Sequence, residues 1–247
     1  MITGDDITLR SSNPAPDDRH FDAYCVRPDA PLAPAILLLP EMFGLTPAMR
    51  ESADAFARHG HAVLAPNMFW RAEHPRALAY DGVDRDIANL RLAECDIDLA
   101  VKDIADAVSV LRDMGGGAQV VAIGHCIGGR LAVLALSRLR LDGAISYYGL
   151  GLNNYPDEMS MISAPVQLHY GLADPHVPPD EIASVAKLVA HNPMVTLHKY
   201  AGAGHSFVNP YRPMFDATLA RQVMQSSIAL IDFVAANKAE FVPTVGS

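Results

Sequence analysis

The hydrophobic positions of this chain alternate between short unbroken runs and longer amphipathic stretches. Residues 35–39 read AILLL and are closed by Pro40, and an apolar run of this length predicts a fully buried strand. Apolar residues at helical spacing fill residues 96–114, and the three glycines at 115–117 predict the end of that helix. Such alternation is typical of a mostly parallel sheet covered by helices on both faces. The sequence therefore predicts a single α/β domain over residues 1–247.

The remaining periodic stretches extend this order along the chain. Two leading strands are expected at residues 7–10 and 21–26, with a turn-rich segment between them. Thr46 and Pro47 are typical of a helix N-cap and the first helical position. Residues 66–94 are mixed and have room for short helices and part of a binding cleft. Further strands are predicted at 62–65, 119–123, 143–147, 166–170 and 195–200, and helices at 47–59, 127–139, 179–191 and 215–236.

Composition and charge exclude two classes of partner. The formal net charge of −9 disfavours nucleic acid, whose phosphates need a basic surface. No apolar stretch approaches the roughly 18 to 20 residues of a membrane span. The N-terminal residues MITGDDITLR lack the basic and then apolar segments of a secretory signal. We therefore expect a cytoplasmic protein, monomeric or a small homo-oligomer, with neither nucleic acid nor a membrane as partner.

Cysteine and histidine spacing argues against disulfides and metals. The three cysteines are far apart and form no C-x-x-C pair, and the ten histidines form no H-x-x-x-H pair. Cys25 and Cys95 are interpreted as small buried hydrophobic residues. We predict no metal and no organic cofactor.

The strongest chemical signal lies between a predicted strand and a predicted helix. Gly124, Cys126 and Gly128 form a G-x-C-x-G sequence there, which is similar to the G-x-S-x-G nucleophile elbow of α/β-hydrolases. The turn is so tight that side chains two residues before and after the nucleophile would collide. A cysteine at the start of a helix is also favoured as a thiolate, because the helix dipole and free N–H groups stabilise negative charge. Cys126 is thus the predicted nucleophile.

An acid and a base follow in the order that α/β-hydrolases use. Asp174 lies in a G-x-x-D loop after the strand at 166–170, at the carboxyl end where open α/β sheets place their sites. His205 lies in a glycine-containing loop after the strand at 195–200. A histidine can take the thiol proton and return it to the leaving group, and an aspartate can fix its tautomer.

Each of these residues alone has an ordinary structural explanation. Cys126 could be a buried cysteine in a glycine-rich packing turn, Asp174 a turn former and His205 a surface residue. Their ordered appearance after three strands favours catalysis. The rival hypothesis is a non-catalytic or redox-sensing relative in which Cys126 is a reactive thiol.

Together with these motifs, two further segments resemble the dienelactone hydrolase (carboxymethylenebutenolidase) family. They are the sequence LPEMFGL at residues 39–45, followed by MRE at 49–51, and the YYG turn at 147–149. The resemblance spans residues 33–233. The cysteine in the elbow narrows the choice of family within the α/β-hydrolases. It implies that Glu41 contacts the nucleophilic thiol and helps to form the thiolate. It also implies an oxyanion hole made by the backbone N–H groups of Met42 and Ile127.

The resemblance further implies that two arginines and a serine hold a substrate carboxylate. Arg85 matches the first arginine and Ser206 the serine, whereas Asn209 stands where the second arginine is expected. Arg212 could replace that arginine only if its loop bends back. An asparagine cannot supply the charge-assisted pair of hydrogen bonds that a carboxylate accepts, so a carboxylated substrate is in question.

Aromatic residues and the choice of nucleophile add expectations about the substrate. Tyr148 is a candidate substrate contact, and Phe43, Trp70 and Phe207 are candidates for the pocket lining. Because a thiolate is itself a good leaving group, only an activated ester or an enol lactone is expected to form the acyl-enzyme efficiently. We therefore predict hydrolysis of a lactone or activated ester through a thioester, and poor activity on amides.

Overall fold

The computed structural model describes residues 4–15, 18–114 and 119–237, and its strands form an eight-stranded sheet in the order β1-β2-β4-β3-β5-β6-β7-β8. The strands are β1 (Asp5–Ala15), β2 (Asp18–Val26), β3 (Leu32–Leu39), β4 (His61–Pro66), β5 (Val120–His125), β6 (Gly143–Tyr147), β7 (Val166–Gly171) and β8 (Val195–Tyr200). The helices are α1 (Pro47–Arg58), α2 (Gly82–Glu94), α3 (Ile97–Asp113), α4 (Ile127–Leu139), α5 (Pro156–Ser160), α6 (Pro179–Leu188) and α7 (Ala217–Ala236), with a short 3-10 helix at Leu152–Asn154.

The sheet is mostly parallel and has a hydrophobic core on each face. Strand β2 pairs antiparallel with β1 and β4, while β3 to β8 pair in parallel. Side chains alternate between the two faces, so Ala122 of β5 joins one core and Ile123 the other. Helices α3, α4 and α6 contribute to the first core and α1 and α7 to the second. The predicted α/β architecture is confirmed.

Several local expectations are corrected. The two leading strands are longer than predicted, because β1 continues to Ala15 and β2 begins at Asp18, with a register shift between Arg10 and Ala15. Thr46 does precede α1, but its side chain makes no capping hydrogen bond. The helix predicted at 179–191 ends at Leu188. Residues 115–117, which were expected to end α3, lie outside the described residues.

The register of the parallel strands places their carboxyl ends at one edge of the sheet. Leu39 of β3 pairs with Gly124 of β5, so the loop after β3 lies beside the loop after β5. Gly171 of β7 pairs with Tyr200 of β8, which brings the two following loops together in the same way. Within the described ranges, no helix has the length and apolar character needed to cross a membrane.

Candidate active site

Cys126 occupies a strained turn between β5 and α4. Its backbone has φ 58° and ψ −120°, a conformation that residues with a side chain rarely adopt. The Cys126 N–H donates to the carbonyl of Tyr147 at 3.0 Å, which ties the turn to the end of β6. A Cβ atom on Gly124 would strike the carbonyl of Gly128, and one on Gly128 would strike the carbonyl of Leu39. The two glycines are therefore required by close backbone approach, as the elbow motif predicts.

The predicted acid and base meet at the carboxyl ends of β7 and β8. His205 Nδ1 lies 2.7 Å from Asp174 Oδ2, and the side chain of Asp174 is fully buried. The second carboxylate oxygen of Asp174 accepts the backbone N–H of His176 at 2.7 Å, which fixes the orientation of the carboxylate. His205 also lies close enough to Cys126 for the charge and hydrogen bonding of that side chain to raise the pKa of the imidazole. The three predicted residues thus lie together, in the order acid, base and thiol.

The electrostatics of His205 favour a charged imidazole beside a thiolate. Burial alone would lower the pKa of His205, but the charge and hydrogen bond of Cys126 and the contacts with Asp174 outweigh it and raise that pKa above its ordinary value. The N-terminus of α4 adds partial positive charge at Cys126. The arrangement therefore suits a thiolate–imidazolium pair, which is the reactive form of a cysteine nucleophile.

A cavity of about 100 Å³ opens beside these residues. It is lined by residues from four of the strand-end loops, from α2 and from the loop that precedes α7: Glu41, Met42, Phe43, Arg85, Asn89, Leu92, Cys126, Leu150, His176, His205, Ser206 and Arg212. Most of the predicted site residues therefore share one cavity with the nucleophile.

The loop after β3 brings the predicted oxyanion-hole residues to the elbow. Met42 lines the cavity, and Ile127 is the first residue of α4, where the N–H group has no acceptor within the helix. A buried arginine, Arg91 of α2, reaches behind this loop and donates to the carbonyl of Met42 at 3.5 Å and to that of Arg76 at 2.6 Å. Met42 therefore lies at the cavity, and Ile127 directly follows Cys126.

Glu41 is buried in this cavity and held by neutral partners. Only 2% of its surface is exposed, and its Oε1 accepts a hydrogen bond from Asn209 Nδ2 at 3.0 Å. Burial raises the pKa of Glu41, and this outweighs a hydrogen bond from Tyr80 and the nearby positive charges, which lower it. Asn209, which stands where the resemblance implies an arginine, therefore contacts Glu41 and does not line the cavity.

Two arginines nevertheless reach the cavity, and both lie near the same aromatic ring. The guanidinium of Arg85 lies 5.7 Å from the ring centroid of Phe43, and that of Arg212 lies 5.5 Å from the same centroid. Arg212 also lies 4.8 Å from the centroid of Tyr80. The loop after His205 therefore bends back, as a role for Arg212 requires, and Ser206 at φ 65° faces the same cavity.

Three of the aromatic candidates lie elsewhere. Tyr148 was expected to contact substrate, but it is fully buried and its ring lies 4.8 Å from that of His205, so it supports the histidine from behind. Phe207 is also fully buried, against Tyr148. Trp70 stacks on Phe21, outside the cavity lining. Phe43 is the one of the four that lines the cavity.

Sequence reasoning missed two contributors. His176 lines the cavity, with its ring 4.9 Å from that of His205. Its position two residues after Asp174, in the same loop, was an available signal. Tyr80 was missed because nothing in the mixed segment before α2 distinguishes it. His125, which directly precedes Cys126, does not line this cavity, and its Nδ1 pairs with the Tyr148 hydroxyl at 2.8 Å.

Comparison with known proteins identifies the family. The sequence profile of the Dienelactone hydrolase family matches residues 21–234. The chain belongs to the dienelactone hydrolase family. It is 29% identical over 218 residues to carboxymethylenebutenolidase 1 of Cupriavidus pinatubonensis, covering 87% of this chain and 90% of that one. It is 30% identical over 193 residues to the carboxymethylenebutenolidase of Pseudomonas putida, covering 77% and 82%.

Solved structures agree with the α/β-hydrolase fold. The dienelactone hydrolase-like promiscuous phosphotriesterase P91 from metagenomic libraries superposes with a TM-score of 0.76 at 21% identity, covering 94% of this chain and 99% of that one. The esterase Pf2001 of Pyrococcus furiosus gives a TM-score of 0.69 at 14% identity, covering 94% and 93%. The family and its relatives make this protein a hydrolase of esters or lactones.

In the described part of the chain, no three or more His, Cys, Asp or Glu side chains lie together in a group that could hold a metal ion.

Proposed function

We propose that this dienelactone hydrolase family member opens a lactone or activated ester with Cys126 as nucleophile, through a thioester acyl-enzyme. The observation that carries the proposal is the order of contacts from Asp174 through His205 to the strained Cys126, beside a cavity. The same order of contacts, nucleophile to base to orienting acid, supports nucleophilic catalysis on unrelated folds.

The acylation half of the reaction begins with the thiol proton on His205. The Cys126 thiolate attacks the carbonyl carbon, and the carbonyl oxygen becomes an oxyanion that the N–H groups of Met42 and Ile127 stabilise. When the intermediate collapses, the carbon–oxygen bond to the leaving group breaks and His205 gives its proton to that oxygen. The product of this half is a thioester on Cys126, with the leaving group still attached to the acyl chain if the substrate is a lactone.

The deacylation half uses water and the same histidine. Neutral His205 takes a proton from water as the hydroxide attacks the thioester carbonyl, and the oxyanion again lies at Met42 and Ile127. Collapse breaks the carbon–sulfur bond, releases the carboxylic acid product and restores the thiolate beside imidazolium. Asp174 holds the imidazole in the same orientation through both halves.

The leaving group and the charge of the cavity define the substrate class. From the tetrahedral intermediate, an ordinary alkoxide leaves less readily than the thiolate, so the intermediate returns to substrate. An enolate or an aryl oxide leaves readily enough for the thioester to form. Arg85 and Arg212 line the cavity, and neither forms an ion pair within 4 Å in the described structure, so both remain able to meet a substrate carboxylate. We therefore propose an enol lactone that carries a carboxylate, with Ser206 as a further hydrogen-bond partner.

The test compares a carboxylated dienelactone with a neutral activated aryl ester. Wild-type protein should hydrolyse the dienelactone, and mass spectrometry of rapidly quenched reactions should show an acyl group on the peptide that contains Cys126. Cys126→Ala should lose both hydrolysis and the adduct. Cys95→Ala is the matched control and should keep both. Hydrolysis that survives Cys126→Ala would overturn the proposal. Absence of turnover with both substrates, together with reversible oxidation of Cys126, would favour the redox-sensing alternative.

A further inference from the structure

Arg91 of α2 is a buried cation that has no carboxylate partner. Only 4% of its surface is exposed, and no carboxylate oxygen lies within 4 Å of its guanidinium in the part of the chain that the structure describes. The guanidinium instead lies 5.3 Å from the ring centroid of Phe69 and donates hydrogen bonds to the carbonyl groups of Arg76 and Met42. Burying a charge without a counter-ion is costly, and an apolar side chain would fill the same space at lower cost. Packing alone therefore does not explain an arginine at this position.

The Met42 carbonyl belongs to a tight turn in the loop after β3. The N–H of Gly44 donates to the carbonyl of Glu41 at 2.9 Å, which closes a four-residue turn with the Met42–Phe43 peptide at its centre. The two commonest turn types differ in the rotation of this central peptide, by roughly half a turn. Arg91 Nη1 lies 3.5 Å from the carbonyl oxygen of that peptide, and a Cβ atom on Gly44 would lie 3.6 Å from the same nitrogen. The guanidinium therefore packs against the turn and favours one orientation of its central peptide.

The direction of the Met42 N–H depends on this turn. A trans peptide is planar, so the Met42 N–H points opposite to the Glu41 carbonyl that Gly44 binds. Among the described residues, no acceptor binds the Met42 N–H, and Met42 lines the cavity with Cys126. An oxyanion hole needs such a free donor, held about 3 Å from the position that the oxyanion will occupy. The turn that Arg91 contacts is thus the turn that carries the proposed donor.

On the basis of the proposed mechanism, we propose that Arg91 is a positioning residue for the oxyanion hole. Through the Met42 carbonyl, it holds the turn in the orientation that presents the Met42 N–H to the cavity. Arg91 lies outside the cavity lining, so it acts through Met42 and not on the substrate. The effect belongs to the transition state, in which the oxyanion forms, and it should be equal for substrates with and without a carboxylate. Helix α2 also carries Arg85, so a shift of the whole helix would instead weaken binding of the carboxylate.

Steady-state kinetics of Arg91→Met separate these two effects. With a carboxylated dienelactone and with a neutral aryl ester, kcat should fall by about 10- to 100-fold, because a misplaced oxyanion-hole donor loses part of its contribution of roughly 10²- to 10³-fold. KM should change by less than about threefold for both substrates. Arg91→Lys keeps a charged donor at this position, so it should show the same pattern with a smaller loss of kcat. It also carries the test if circular dichroism melting shows that Arg91→Met does not fold.

Ala88→Gly is the matched control for the position of α2. Ala88 is the other buried residue of this helix, and the change weakens the helix by about 1 kcal/mol without removing the donor to Met42. The variant should keep kcat within about threefold of wild type. An equal loss of kcat in Ala88→Gly and Arg91→Met would overturn the inference. A rise in KM for the dienelactone alone in Arg91→Met would overturn it as well, because Arg91 would then only hold α2 in place.

Nuclear magnetic resonance of the resting protein tests the contact itself. Labelling with carbonyl ¹³C in methionine and ¹⁵N in phenylalanine selects the Met–Phe peptides, which begin at Met42, Met68 and Met214. The Met42 carbonyl signal should move upfield in Arg91→Met, because the carbonyl loses its charged donor, while the Met214 signal should stay. An unmoved Met42 signal would overturn the inference. Hydrolysis that survives Cys126→Ala would overturn the cysteine mechanism alone, because an oxyanion forms on the substrate carbonyl whichever group attacks it.

Discussion

The active-site cavity has two walls that are built differently. The strand-end wall comprises Glu41, Met42, Cys126 and His205, which lie in the loops that follow β3, β5 and β8, strands whose register is fixed by backbone hydrogen bonds. The helix α2 wall comprises Arg85, Asn89, Leu92 and Arg212, which lie on α2 and in the loop before α7. Helix α2 itself buries only Ala88 and Arg91 fully, so few contacts fix its position. In the proposed mechanism, one wall therefore carries the groups that make and break bonds, and the other contacts the part of the substrate that carries the carboxylate.

After loss of the proposed nucleophile itself, the largest expected effect on the strand-end side is that of Asp174→Asn. The amide cannot hold the His205 tautomer or stabilise the imidazolium, so kcat should fall on the order of 10³- to 10⁴-fold for every substrate, with KM little changed. Because the Asp174 contact is one of the causes that raise the pKa of His205, the alkaline limb of kcat/KM should also move to lower pH. Steady-state kinetics across pH measure both.

Circular dichroism melting provides the control for folding. A substrate-dependent loss, with kcat for one ester within tenfold of wild type, would contradict the assignment of Asp174 to the strand-end chemistry.

Alanine substitutions at two glycines compare how tightly the backbone of each wall is constrained. Gly128 follows the nucleophile, and a side chain there would strike the carbonyl of Leu39, so Gly128→Ala should destabilise the fold by about 3 kcal/mol or more. Gly82 begins α2 at φ 57° with open space around it, so Gly82→Ala should cost only about 1 kcal/mol, from backbone strain. Urea unfolding measures both. Equal losses would mean that the two walls are equally constrained.

The same contrast explains how far the sequence could predict the structure. Cys126, Asp174 and His205 each follow a predicted strand, and each signal is local because a tight turn or a strand end determines where the side chain points. Tyr80 and Arg212 depend on how loops without periodic pattern fold over the strand ends. Tyr148 was wrongly predicted to contact the substrate. The sequence pattern of an aromatic residue after a strand is the same whether the ring faces the cavity or the core behind His205. The contact made by Asn209 could not be predicted, because its hydrogen-bond partner, Glu41, is 168 residues away in the sequence.

The most specific expected effect belongs to the helix α2 wall. Arg212→Gln removes one of two cations that can meet a substrate carboxylate, and a lost charge-assisted hydrogen bond corresponds to an increase in KM of roughly 10- to 100-fold for a carboxylated dienelactone. Arg85→Gln should act in the same direction. With a neutral aryl ester, both variants should keep wild-type kcat and KM, because neither arginine contacts the reacting atoms.

The control for these arginine variants is Arg221→Gln, which makes the same change on the exposed surface of α7 and should leave both substrates unaffected. If Arg212→Gln lowers kcat equally for the dienelactone and the aryl ester, then Arg212 supports the chemistry and the two walls are not separable. If KM rises only for the dienelactone in Arg85→Gln and not in Arg212→Gln, the bent loop after His205 does not recognise the carboxylate. Only the joint, substrate-dependent effect would establish that this chain has moved its second arginine from position 209 to 212 while keeping the carboxylate subsite.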